Sequence, residues 1–451
     1  MYRELLNSER IRPSSRGEKS LYEEVESDRA RVLYSASFRR LQRKTQVFPL
    51  EDNAAIRTRL THSLEVAHVG RFLAGKIIDK ATAAGKIEEW GLVGDVAHAF
   101  RVMTEVACLL HDVGNPPFGH FGEVAISNWC KAQSSLSDSD LISFDGNPQG
   151  FRIVTRLAGI DSNSGMNLTV SQLAATLKYP SIKDERISPK YKKFGVFSTE
   201  LDRLERIRKK LSLKAEQRFC IAYVMEAADD ISYCLSDIED GVEKDLIDPE
   251  YFFVKIEESI QGRAKEIYDI GRNAAEMAKG KVDKIVSFRA AVITCLVEAA
   301  AKKYVIEHDK ILDGSNHELL EEGSPEGDFL KQLKLVVSKA LYSSSQIVKL
   351  ELAGLRVVGG ILGELSPLLN LESKDFLRLL EGERVKGLDV QRRLAALLAK
   401  SHRIAYSTDL ESCDAMDEPV RRGHLLVDLV SGMTDPFAVD TYQRITGTFR
   451  L

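Results

Sequence analysis

The sequence has no paired-cysteine framework. Its six cysteines, Cys108, Cys130, Cys220, Cys234, Cys295 and Cys413, include no CxxC pair, and most sit in apolar stretches. That excludes a disulfide scaffold and a thiolate zinc site, and points to reduced thiols in a cytoplasmic protein. Long hydrophobic runs are also missing: no stretch of about 18 apolar residues occurs. The opening MYRELLNSERIRPSSRGEKS lacks a signal-peptide core, so no membrane span and no membrane partner are expected. Neither sign of charge is in excess. With 63 Lys+Arg against 67 Asp+Glu the net charge is -4, so any anion binding must come from a local patch. What remains is ordinary globular material: 44% hydrophobic and 29% charged residues over 451 positions are enough for a large core and exclude wholesale disorder.

The periodicity is helical almost throughout. Residues 1–30 read as charged and irregular, followed by a helix from Asp28 to about Arg43 that carries Arg39, Arg40, Arg43 and Lys44. An extended segment, Thr45 to Glu51, precedes a long helix with Thr61 as its N-cap and with His62 and Glu65 one turn apart. Further helices are expected over 94–113, 149–158, 168–179, 198–212 and 214–240, with a loop or short hairpin over 183–197. Helical patterning continues beyond 248 to the end. No parallel strand set, internal repeat or linker stands out, so the expected class is all-α. The chain is read as a chemistry-bearing core over 1–250 with a helical region over 251–451 packed on it.

The chemistry concentrates at Ala107 to Glu123. An apolar helix ends in His111-Asp112; Gly114 can close it, and Pro116-Pro117 forbid its continuation. His120 and Glu123 follow one turn apart. Histidine nitrogens with carboxylate oxygens suit a divalent ion, so a single-ion site needs His62, His111, Asp112 and one acid from a distant helix. The 214–240 helix offers Asp229 and Asp230. Asp229, Tyr233 and Asp237 fall at i, i+4 and i+8 on one face, while Asp230 is rotated by about 100°. Asp229 is therefore the better ligand if that face lines a pocket. Glu123 beside His120 can orient it and raise its proton affinity, which suits general acid or base work. Arg59, Lys178 and Tyr179 are candidates for phosphate oxygens.

The order H…HD…D resembles the HD phosphohydrolase superfamily. Longer strings are similar to the bacterial dGTP triphosphohydrolase family: Arg39 to Pro49, Thr58 to Val66, His111 to Glu123, Phe144 to Arg152, Glu226 to Tyr233, and Ser431 to Asp435. The resemblance spans most of the chain, with little from about 250 to 400. It implies an all-helical HD fold with additional C-terminal helices, and a metal-dependent hydrolase that converts dGTP to deoxyguanosine and inorganic triphosphate. The rival within the family is a broad-specificity, nucleotide-activated dNTP triphosphohydrolase. By motif, His62, His111, Asp112 and Asp229 are the metal ligands, and His120 with Glu123 is the catalytic pair. Gln46 falls at the sugar 3′-hydroxyl, Tyr233 against the sugar where it disfavours a 2′-hydroxyl, and Asp237 at a sugar contact. Arg59 and Lys178 match phosphate contacts. One divalent ion per subunit is implied, manganese or magnesium first, with cobalt, iron or nickel also accepted by such donors. The resemblance further implies a homo-oligomer, commonly a hexamer, and single-stranded DNA as an effector.

Overall fold

The computed structural model describes residues 1–451 except 14–16, 18, 160–163, 184–190, 192, 343, 412–416 and 449–451. Cys413 and most of the expected loop or hairpin over 183–197 therefore lie outside the described residues. The all-α expectation holds. Among the described residues strand pairing is limited to two isolated bridges, Arg10 with Thr169 and Thr45 with Thr58.

The hub is the Arg59–Ala83 helix, which packs on Asp95–Leu110, Cys220–Glu243 and Lys281–Ile306. Val66, Leu73 and Ile77 on the hub share one apolar cluster with Phe100, Val106, Ile231 and Leu296, all with little or no exposed surface. Two apolar clusters result. The first gathers residues from Tyr2 to Ile347, so it draws helices from both sides of residue 250. The second joins the Gly119–Lys131 helix to Ser345–Leu369, Glu418–Ser431 and Asp435–Thr446. Ser345–Leu369 is, among the described residues, the one helix long and apolar enough to cross a membrane by length and composition. Here its Val358, Ile361, Leu362 and Leu365 are core residues of the second cluster.

Local differences from the sequence reading have identifiable causes. The expected 28–43 helix is two helices, Leu21–Leu33 and Ala36–Arg40, with a 3-10 turn to Arg43. Ser20 and Glu23 form a capping box that starts the first helix early, and Ser35 caps the second by accepting the Phe38 N–H. The N-terminus is anchored rather than irregular. Tyr2 is buried with its hydroxyl 2.6 Å from that of Tyr304, and Arg10 pairs with Glu24 and Asp28. The N-cap of the hub helix is Thr58, with Thr61 as its reciprocal partner three residues on. The helices read at 149–158 and 168–179 are Gly146–Arg152 with a π-turn to Leu157, and the shorter Val170–Ala175.

Candidate active site

Three donors converge from three helical elements of the first cluster. His62 lies in the first turn of the hub helix, His111 terminates Asp95–Leu110, and Asp229 sits midway along Cys220–Glu243. One ligand atom from each lies within 4.8 Å of the others. Asp229 Oδ1 is 3.5 Å from Nε2 of both histidines. His111 Nδ1 donates to the Cys108 carbonyl at 2.6 Å, which fixes the tautomer and leaves Nε2 as a lone-pair donor. That Nε2 is buried with no hydrogen-bond partner among the described residues. An orphaned imidazole nitrogen aimed at a carboxylate and a second imidazole is what a divalent cation satisfies, so the residues fit a metal ion.

Asp112 adjoins this trio, with Oδ1 3.7 Å from His111 Nε2, and Arg59 donates to its other oxygen at 2.6 Å. Burial alone would raise both aspartates. The Arg59 guanidinium, with the histidines, holds Asp112 below the usual carboxylate range, and His111, the His62 bond and Lys178 hold Asp229 well below it. Asp230 turns away to pair with Lys334 at 2.8 Å, as the helix-face argument requires. Glu65 does not accompany His62. It accepts from Arg57, Ser236 and Arg289 instead.

The loop after Asp112 is shaped by close backbone approach. A Cβ on Gly114 would lie 2.0 Å from the Gly146 carbonyl and 2.1 Å from the Gly150 nitrogen, so only glycine fits. Phe118, at φ +60°, then starts the Gly119–Lys131 helix. In its first turns His120 Nδ1 is 3.1 Å from Glu123 Oε2, while Glu123 Oε1 accepts the Gly146 N–H at 2.8 Å. The His120 side chain is 78% exposed, and the Glu123 bond raises its proton affinity against the effect of partial burial.

A cavity of about 470 Å3 brings these groups together; its wall includes Gln46, Arg59, His62, Asp112, His120, Asp229 and Tyr233. Gln46 Oε1 is buried and unpartnered among the described residues. Asp237 lies behind the wall, fully buried, its carboxyl pushed up to about 7 by burial while a bond from Tyr342 opposes the shift. Lys178 and Tyr179 are not on the cavity wall. The Lys178 ammonium is 3.8 Å from both Glu226 and Asp229 and stays charged because these acids and Asp230 outweigh burial. Tyr179 faces Tyr191.

Two wall residues escaped the sequence reading. The Tyr342 hydroxyl donates to Asp237 Oδ2 and lies 2.6 Å from the Tyr233 hydroxyl, at 2.6 Å in each case, so it bridges the two predicted sugar contacts. Glu351 lines the same cavity, where partial burial raises its proton affinity and the nearby His120 opposes the shift. Both lie where the motif resemblance is weakest. Tyr342 ends a π-turn that no periodicity announces, and Glu351 is one of two acids on a mostly apolar helix.

The HD domain family matches residues 59–158, a span holding His62, His111, Asp112, His120 and Glu123. Over 488 aligned positions the chain is 36% identical to a deoxyguanosinetriphosphate triphosphohydrolase of Klebsiella pneumoniae subsp. pneumoniae, covering 96% of this chain and 95% of that protein. A protein of the same name from Klebsiella pneumoniae strain 342 matches at 36% over the same shares. With similarity running nearly end to end through both chains, this protein belongs to the deoxyguanosinetriphosphate triphosphohydrolase family of HD-domain proteins.

Proposed function

We propose that the protein is a metal-dependent hydrolase that converts dGTP to deoxyguanosine and inorganic triphosphate in the cytoplasm. The observation that carries this reading is that one cavity is walled by His62 and Asp229, which close a trio with His111 behind them, and by His120, which Glu123 holds from behind. His62, His111, Asp112 and Asp229 would hold one divalent ion, manganese or magnesium first. Bound there, it supplies charge neutralisation and polarisation at a phosphate oxygen. The 1–250 part provides these groups, and the 251–451 part closes the cavity with Tyr342 and Glu351.

The chain's own groups divide the remaining work. Arg59 balances phosphate charge while it steadies Asp112. Lys178, held against Asp229, adds positive potential from behind the ligand and reaches phosphate less directly, with Tyr179 beside it. Gln46 receives the 3′-hydroxyl. Tyr233, tied through Tyr342 to Asp237, presents a fixed ring edge to the sugar and leaves no room for a 2′-hydroxyl. Water attacks the α-phosphorus in line, and the leaving nucleoside 5′-oxygen needs a proton. His120, its proton affinity raised by Glu123, donates it through Nε2.

Glu351 favours guanine over the broad-specificity alternative. Guanine presents N1–H and the 2-amino group side by side, two donors that one carboxylate can accept, whereas the other bases place an acceptor beside each donor. A homo-oligomer, commonly a hexamer in this family, is part of the same proposal. So is single-stranded DNA as effector. A second cleft of about 1180 Å3, lined by Arg12, Lys19, Arg31, Arg39 and Arg40, supports a polyanion there. Product analysis with the four dNTPs and GTP under manganese or magnesium tests the reading. Deoxyguanosine and triphosphate from dGTP alone is the expected result. Equal turnover of all four dNTPs transfers the chain to the broad-specificity class, and release of pyrophosphate or monophosphate refutes attack at the α-phosphorus.

A further inference from the structure

Asp435 is only 1% exposed, yet it lies more than three hundred residues along the chain from both of its partners. It stands in the first turn of the Asp435–Thr446 helix, whose N-cap makes no side-chain bond. Its carboxylate is turned outward to two other segments. Oδ2 accepts the Thr45 N–H at 3.0 Å and also the Thr45 hydroxyl, and Oδ1 accepts the Phe118 N–H at 3.0 Å.

Each partner sits beside a working residue. Thr45 precedes Gln46. Phe118 is two residues before His120 and is held at a left-handed φ of +60°, a conformation unfavourable for a residue with a Cβ and one that relaxes unless something holds it. Lys44 reinforces the same junction. Its buried ammonium donates to the Asn115 carbonyl and, at 2.8 Å, to the Ser431 carbonyl. The 431–435 stretch thus grips both the segment before Gln46 and the loop before His120.

We propose that Asp435 is a positioning residue that sets the distance between Gln46 and His120, so that a nucleotide engaged through its 3′-hydroxyl has its scissile bond at the imidazole. This rests on the roles proposed above for Gln46 and His120. A carboxylate is needed because three donors converge on it, and an amide offers them one oxygen and a competing NH2.

The test compares kcat and KM for dGTP and for 2′,3′-dideoxy-GTP in wild type, Asp435→Asn and Thr45→Val, with manganese affinity and Tm measured alongside. A displacement of about 1 Å costs on the order of 100-fold in rate, so Asp435→Asn is expected to lose about 10- to 100-fold in kcat/KM on dGTP. The loss on the dideoxy substrate is expected to be smaller by about tenfold, the worth of one ill-placed hydrogen bond to the substrate. Manganese affinity stays unchanged. Thr45→Val moves the same ratio in the same direction by less, and decides the matter if Asp435→Asn does not fold. Equal losses on both substrates mean a purely structural role and overturn the inference, as does no loss on either. A wild type that does not distinguish the two substrates overturns the Gln46 reading, and the inference with it.

Discussion

Replacing Glu123 by glutamine separates the charge of the proposed catalytic pair from its shape. Two N–H donors approach the carboxylate from opposite sides, His120 Nδ1 at 3.1 Å and the Gly146 nitrogen at 2.8 Å. Glutamine has one oxygen for two donors, so its NH2 must face one of them, and the imidazole loses its fixed direction. The charge effect follows from distance and exposure. Unit charges about 4 Å apart interact by about 4 kcal/mol near a protein surface and about 1 kcal/mol in bulk water. With His120 78% exposed the lower figure applies, which is somewhat under one pKa unit. As proton donor His120 must be protonated, so kcat falls as pH rises through its pKa. Glu123→Gln removes the group that holds this pKa up, so the basic limb moves to lower pH by about 0.5–1 unit, more at low salt. At the optimum kcat falls by about 10- to 100-fold through misorientation. Triphosphate release followed across the neutral range in wild type, Glu123→Gln and His120→Ala measures both effects. A basic limb that stays in place in Glu123→Gln, or moves to higher pH, refutes the assignment of the proton donor.

Gly114→Ala sets a methyl against two backbone segments that cannot move aside singly. We expect a loss of about 3 kcal/mol or more, read as a lower Tm, together with weaker manganese binding as the Asp112 loop shifts. Chelation should abolish turnover reversibly, and Asp229→Ala should abolish manganese binding by calorimetry while the helix that carries it stays folded; retained affinity would remove Asp229 from the ligand set. Glu351→Gln places a donor against one of the guanine donors, and should cut kcat/KM on dGTP by about 10- to 100-fold while that on dATP rises or holds. A uniform change across the four dNTPs would show that Glu351 does not read the base.

The site was most legible where its chemistry is local in the chain. His111-Asp112 and His120 with Glu123 sit on either side of one turn, and the helix period put Asp229 and Asp230 on different faces, leaving open which face lines a pocket. Spacing could not tell which side of the hub helix faces the cavity. Glu65, one turn from His62, proved to belong to an ion cluster with Arg57 and Arg289. Signals present but passed over include the Ser20–Glu23 capping box and Thr58 as the true N-cap. Tyr342 and Glu351 reach the cavity through tertiary contacts only, and nothing in their neighbours' periodicity marks them; Asp435 closes the Ser431 to Asp435 string, but nothing in that string shows that its partners are Thr45 and Phe118. Nor does the chain order show that helices beyond residue 250 share a core with the hub helix.

The proposed metal donors rest on the first apolar cluster, whereas the helix of His120 and most of the helix of Glu351 belong to the second. On the roles proposed above, holding the ion and reading the base therefore lean mainly on different apolar clusters that meet at the cavity. Substitutions accumulating in the second cluster can retune base preference or turnover while the ion's coordination stays intact. For a lineage of such enzymes this is an evolutionary freedom: selectivity for one nucleotide can drift, widen or be replaced without passing through a form that has lost its metal.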